Sequence, residues 1–174
     1  RLSAEEVAEM QIRRRARAQA PPLSPAALLK GLEEDFARDY LFTGDIDPDL
    51  YDDDCIFTDP TLSFRGLDTF QRNLASLRPV LDALIGDRTV DLYSAQLDED
   101  ACTVTCSWRM SGGIRLPWKP RIELRGRTVY SFDPSSQGRI VRYDESWESS
   151  AAEQLLALFK PGERTNEAVD PLPR

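Results

Sequence analysis

The sequence predicts an α+β cone: a curved antiparallel sheet of four long strands plus a short strand pair, wrapped by helices, with extensions at both ends. Three observations carry this. Period-two alternation runs through the C-terminal half, with Val104, Cys106, Trp108 and Met110 opposing Thr103, Thr105, Ser107 and Arg109. It resumes in Ile122, Leu124, Gly126, Thr128, Tyr130 and Phe132 against Arg121, Glu123, Arg125 and Arg127, and again in Val141, Tyr143, Glu145 and Trp147 against Arg142, Asp144, Ser146 and Glu148. Side chains of a strand point to alternate faces, so the runs form an antiparallel meander with one wet face. Upstream, Leu67, Phe70, Leu74, Leu77, Leu81 and Leu84 keep heptad-like spacing, a helix with one packed face. The order of elements, helices first and long strands last, is the third observation.

Taken in order, Ser3 and Glu6 stand in capping-box spacing before an Arg-rich helix over residues 3–18. Its thin stripe of Val7, Met10 and Ile12 marks an arm rather than core. Ala20-Pro21-Pro22 closes residues 1–22 as arm and linker. Residues 23–160 form the domain, and residues 161–174 a tail. Ser24 and Pro25 start a helix in the favoured N-cap and N1 order, with Leu28, Leu29, Leu32, Phe36 and Tyr40 as its buried stripe. An acidic turn from Thr43 to Asp54 leads to a short strand, Cys55 to Thr58. Asp59-Pro60 ends it and Leu62 to Phe64 pairs back. Asp68 and Gln71 have capping-box spacing for the next helix, which Pro79 bends or breaks near Leu77 or Arg78. Arg88 to Leu97 is a strand and Asp98 to Asp100 its turn. Ser150 and Glu153 cap a last short helix bearing Leu155, Leu156, Leu158 and Phe159, ended by Pro161-Gly162.

The 174 residues suffice for one domain with a real core. Thirty acids against 22 bases give a net charge of −8, which argues against a nucleic-acid binder. The charge is uneven: acids crowd residues 33–59, while Arg13, Arg14, Arg15 and Arg17 sit in the arm. Arg109, Arg115, Lys119, Arg121, Arg125 and Arg127 sit in the strand region, making one face basic. Cys55, Cys102 and Cys106 form no CxxC pair and histidine is absent, so no zinc site is expected. Cys102 and Cys106 share the dry face and read as core thiols. The Asp45 to Asp54 stretch alternates acids like a calcium loop, but Leu50 and Ile56 stand where an EF-hand needs Gly and Glu. An acidic solvated turn is the expectation there. Neither a metal nor a cofactor is expected.

The stretch Phe57-Thr58-Asp59-Pro60 before Phe64-Arg65-Gly66, with the closing Tyr143-Asp144-Glu145-Ser146-Trp147, resembles the nuclear transport factor 2-like (NTF2-like, SnoaL-like) superfamily over residues 26–160. Leu116-Pro117-Trp118-Lys119-Pro120, Gly126 and Trp147 resemble an uncharacterised plant, algal and cyanobacterial branch of it. The resemblance implies the cone fold, and the branch implies a chloroplast location in a photosynthetic eukaryote, in the stroma or on the stromal side of the thylakoid. The superfamily includes isomerases, dehydratases, cyclases, transport factors and oligomerisation modules, so the resemblance leaves the activity open.

Glu145 is the one formal charge on the dry face. Desolvation there favours its neutral form, as a proton-shuttling carboxyl requires. Tyr130 and Tyr143 would then donate hydrogen bonds in an apolar pocket, with Asp59 at the mouth as a second carboxylate. Against this stands a structural reading in which Glu145 hydrogen-bonds a tyrosine or pairs with an arginine and Asp59 caps the chain reversal. The loop from Gly112 to Pro120 presents Ile114, Leu116 and Trp118 among bases. It docks to a protein or a membrane surface, or Trp118 folds back over an open end of the cone. The preferred expectation is a non-catalytic accessory subunit of a plastid assembly. It would dock to other protein subunits through Arg13, Arg14, Arg15, Arg115, Trp118, Arg121, Arg125 and Arg127. The alternative is an isomerase- or dehydratase-type enzyme, or a binder of a small apolar ligand, using the cone with Glu145 as proton shuttle.

Overall fold

The period-two runs form the strands they predict. The computed structural model describes residues 4–148. Helix α1 (Ala4–Gln19) leads to α2 (Pro25–Ala37) and the single turn α3 (Tyr40–Thr43). Strands β1 (Tyr51–Thr58) and β2 (Ser63–Arg65) precede α4 (Leu67–Leu84). Four long strands follow: β3 (Ile85–Asp98), β4 (Thr103–Ile114), β5 (Arg121–Asp133) and β6 (Arg139–Trp147). All six strands make one sheet in the order β2-β1-β6-β5-β4-β3. The four long strands pair antiparallel, and β1 joins β6 in parallel. This parallel seam carries the chain's early hairpin onto the edge of the late meander.

The dry face is the predicted one. Val104, Cys106, Trp108, Thr128, Tyr130 and Tyr143 are all buried on it, packed with Leu28, Leu32 and Phe36 of α2. Burial of such side chains is the main term stabilising the fold, at about 25 cal/mol per Å² of apolar surface. Gly126 lies opposite Trp108 across β4 and β5. A Cβ there would come within 2.4 Å of the Trp108 ring, so the glycine makes room for the indole. The Ser24 cap is present, its Oγ accepting from Ala27 N at 3.1 Å.

Several expectations need correction. A bulge between Ser131 and Phe132 shifts the β5–β6 register, so Ile140 is buried where Val141 was expected to face inward. Cys102 sits in the β3–β4 turn at φ 52° and is only partly buried, because the turn turns it off the strand face. The helix cap at α4 is Gly66, with no side-chain hydrogen bond, so Asp68 lies inside the first turn and makes no capping box. Pro79 does not end α4, which runs through it to Leu84. The α2 stripe stops at Phe36: Asp39 adopts a left-handed conformation and starts a new turn, delivering Tyr40 at a changed angle. Strand β1 begins at Tyr51, four residues early, because Tyr51 already pairs with Ile140 of β6 and is buried with Cys55. The last expected helix (Ser150 to Phe159), the 161–174 tail and the Ser3 cap lie outside the described residues.

One departure positions the site. The α4 stripe does not pack as a continuous face: Leu67 is fully buried, while Leu77 and Leu84 are about half exposed. Leu74, Leu77 and Leu81 instead wall a cavity.

A candidate binding cavity in the cone

The cavity holds about 300 Å³ between α4 and the inner face of the sheet. Leu74, Leu77 and Leu81 come from α4, Phe64 from β2 and Leu41 from α3. Met110, Leu124, Tyr143, Glu145 and Trp147 come from β4, β5 and β6, and Thr58 and Asp59 from the end of β1. A packed aromatic group, Phe57 against Phe70 with ring centroids 4.0 Å apart and Phe64 against Phe57 at 5.6 Å, closes one side.

Along that wall runs a chain of hydrogen-bonded side chains. The Tyr40 hydroxyl lies 2.8 Å from that of Tyr130 and 3.3 Å from that of Tyr143. Tyr143 donates to Glu145 Oε2, and Trp147 Nε1 donates to Glu145 Oε1 at 2.6 Å. Tyr143, Glu145 and Trp147 are alternate residues of β6, so one face of one strand supplies the acceptor and both donors. Burial holds the Tyr40, Tyr130 and Tyr143 hydroxyls well above the usual phenol range, so all remain neutral donors. Burial also raises the Glu145 carboxyl. The bonds from Tyr143 and Trp147 pull it back down, and the negative charge of Asp59 adds to the rise. Trp108 belongs to the closed part of the same face, with its Nε1 donating to Thr128 Oγ1 at 2.9 Å.

The expected site residues are thus brought together in part. Glu145, Tyr143 and Asp59 line the cavity, whereas Tyr130 is wholly buried behind it. Asp59 Oδ1 accepts from Thr61 N at 2.7 Å, Thr61 Oγ1 at 2.5 Å and Leu62 N at 3.0 Å, holding the chain reversal into β2. Spacing alone makes Tyr40 a member of the helix stripe, yet it joins Tyr130 to Tyr143; the signal is a tyrosine on an otherwise apolar stripe.

A second buried carboxyl, which the acidic run around it masks in the sequence, lies in α2. Asp35 is 1% exposed, accepts from Asp47 N at 2.9 Å and pairs with Arg38. Burial pushes it up to about 7, against the pull of Asp47 N and Arg38. In the acidic turn, Asp47 and Asp52 accept from the backbone of Asp49 and Asp54, each at 2.9 Å. Among the described residues no group of three or more Cys, Asp or Glu is placed to hold a metal ion.

The residues expected to bind partners are spread over three places. In α1, Arg14 reaches Asp68 and Asp53 of its own domain, while Arg13 pairs with Glu9 and Arg15 is exposed. Arg17, beside them, pairs with Asp53, and its carbonyl accepts from Arg139 Nη2 at 3.0 Å, so the arm is docked on the domain. Arg115 Nη1 donates to the Asp82 carbonyl at 3.0 Å, tying the 112–120 loop to the end of α4. Trp118 at the tip of that loop is 45% exposed and is not part of the cavity wall. On the outer sheet face Arg125 pairs with Glu123 at 3.3 Å, Arg121 is partly buried and Arg127 is exposed. No helix among the described residues is long and apolar enough to cross a membrane.

A family model described as uncharacterized conserved protein (DUF2358) matches residues 26–143. Solved structures share the fold, which is NTF2-like. An NTF2-like protein of Burkholderia thailandensis E264 is 18% identical with TM-score 0.57, over 80% of this chain and 99% of its own. A protein of unknown function with a cystatin-like fold from Methylobium petroleophilum PM1 is 18% identical with TM-score 0.52, over 76% and 83%. The epoxide hydrolase/cyclase-like enzyme SalBIII, with a role in pyran ring formation in the polyether salinomycin, is 14% identical with TM-score 0.50, over 69% and 89%. At these identities the likeness is one of fold alone. Among curated proteins there is no match.

Proposed function

We propose that this chain, which belongs to the DUF2358 family and has the NTF2-like fold, is a non-catalytic binding module whose cone takes a small, largely apolar molecule. The observation that carries this is the state of the polar groups around the cavity. Both oxygens of Glu145 already accept from the protein, one from Tyr143 and one from Trp147. Those two bonds fix the carboxyl in place and lower its affinity for a proton, the opposite of what a general base needs. Asp59 holds its turn through Oδ1, and Tyr130 is sealed behind the wall. What remains is an apolar space at the lower end of the ligand-pocket range, roughly 300–1,000 Å³. Glu145 then serves as the post that fixes Tyr143 and Trp147 at its edge.

Fluorescence titration with the neutral apolar probe N-phenyl-1-naphthylamine tests the reading. One-to-one saturable binding is expected, weakened at least about tenfold, or about 1.4 kcal/mol, by Leu124→Trp, which fills the space. Glu145→Gln, which keeps an acceptor for Tyr143, should change affinity far less. Absence of saturable binding, or indifference to Leu124→Trp, contradicts it.

A second role is favoured by the exposed Trp118, flanked by Arg115 and Lys119 on a loop tied to α4. Here the same module is an accessory subunit of a plastid assembly, docking through that loop and the outer arginines. Reversing Arg121 and Arg125 to Glu should release the folded protein from its native complex. Co-elution of the variant with the complex counts against docking on that face.

A further inference from the structure

Another cleft lies away from the cone, at the seam where the arm meets the domain, and it holds about 290 Å³. Arg14 and Arg17 of α1 line it, with Asp52 and Asp53 of β1 and with Ser136 and Arg139 at the turn into β6. Unlike the cone, this lining is polar and charged. Three guanidiniums against two carboxylates leave one positive charge in excess, on a chain whose net charge is −8.

The guanidiniums are held in place but not used up. Arg139 is 6% exposed. Its Nε donates to the Asp49 carbonyl at 3.2 Å, its Nη1 to Gln137 Oε1 and its Nη2 to the Arg17 carbonyl at 3.0 Å. A guanidinium carries five N–H donors, so each terminal nitrogen of Arg139 keeps one to spare. Arg17 is 9% exposed, its Nη2 donates to Asp53, and its Nε has no hydrogen-bond partner. Burying a cation with donors unspent is costly, and an anion entering the cleft offsets that cost. Arg14 is about half exposed and stands 3.7 Å from Asp53 and 3.5 Å from Asp68, contacts long enough to be exchanged for a closer anion.

These donors come from both sides of the seam, and Ser136 adds a hydroxyl. A planar carboxylate is satisfied by one guanidinium fork, whereas a phosphate presents three oxygens and uses several donors at once. We propose that this cleft binds a phosphate group, as free phosphate or as the monoester of a small soluble molecule, bridging Arg14 and Arg17 of the arm to Arg139 and Ser136 of the domain. Asp53, paired with both arm arginines, is the internal competitor for the same donors. Gln137 Nε2 already ties the arm down by donating to the Ala18 carbonyl at 2.9 Å, and a phosphate across the seam fastens it further. The site does not depend on what the cone binds.

NMR titration of the full-length chain tests this, following the arginine Nε–H signals with inorganic phosphate and with glycerol 3-phosphate against chloride at equal ionic strength. Saturable shifts at Arg17 and Arg139 are expected with at least one phosphate compound and not with chloride; the tighter of the two identifies the source. Arg14→Gln, at an exposed position the fold does not need, should weaken binding at least about fivefold. Arg13→Gln, which removes the same charge from the arm outside the cleft, should leave it within about twofold. Asp53→Asn, which removes the competing charge and keeps an acceptor for Arg17, should tighten it at least about fivefold. Shifts that grow linearly or match those in chloride overturn the proposal, as does equal weakening by Arg13→Gln and Arg14→Gln, which would mean attraction to the arm as a whole.

Discussion

The inner face of the sheet has two halves built from the same alternation. In the closed half, Trp108, Tyr130 and Ile140 meet Leu28, Leu32 and Phe36 with almost no surface left exposed. Polar pairs form there, Trp108 with Thr128 and Tyr40 with Tyr130. In the open half, Met110, Leu124 and Trp147 are only partly buried and face the rim of α4 across the cavity. The strands are continuous between the halves, so the difference lies in the helices. Helix α2 fills the groove in front of it, whereas α4 stands off. Apolar alternation thus states which way a side chain points, not whether anything arrives to meet it.

That contrast predicts unequal costs. Trp108→Ala should be the most damaging change, lowering stability by about 3–5 kcal/mol in urea unfolding, because nothing nearby can collapse into the space. A loss below about 1 kcal/mol would show that the closed half is looser than described. Next comes Asp35, on the closed side. Its carboxyl is raised from 3.8 to about 7, so the folded state holds the proton more tightly than the unfolded chain. Stability is then fully present below pH 3.8 and is lost as pH rises toward about 7. Three units would carry about 4 kcal/mol at most. Asp35→Asn should flatten this slope and be relatively more stable at pH 8 than at pH 4; an unaltered pH profile of unfolding contradicts it. The smallest effect is expected at the open rim, where Leu77→Ser should shift stability by about 0.5 kcal/mol or less. A cost near that of Trp108→Ala would mean the rim is packed in solution.

Much of this was legible in the sequence, because it rests on short-range rules. Ser24-Pro25 announced α2, and the alternation from Val104 to Trp147 announced the meander and the inward position of Glu145. The partners of Glu145 and Asp59 came only from coordinates, since hydrogen bonds depend on angles that spacing does not encode. Ile140 replaced Val141 because a single bulge changes which residue faces in. The parallel pairing of β1 with β6 joins residues some ninety positions apart, and no local pattern signals it. Asp35 stands in the sequence as one more member of an acidic stretch, yet it is buried, accepting from Asp47 N, twelve residues on, and pairing with Arg38 one helical turn away.

The central claim is that the space between α4 and the sheet is a standing apolar cavity ready to take a guest. A crystal of the full-length chain pressurised with xenon reads this out, because dry apolar cavities take up xenon. The account predicts a xenon atom among Leu81, Met110 and Leu124, with Tyr143, Glu145 and Trp147 unmoved. A hydrogen-bonded file of ordered waters in that space, or side chains collapsed to fill it, would contradict the account.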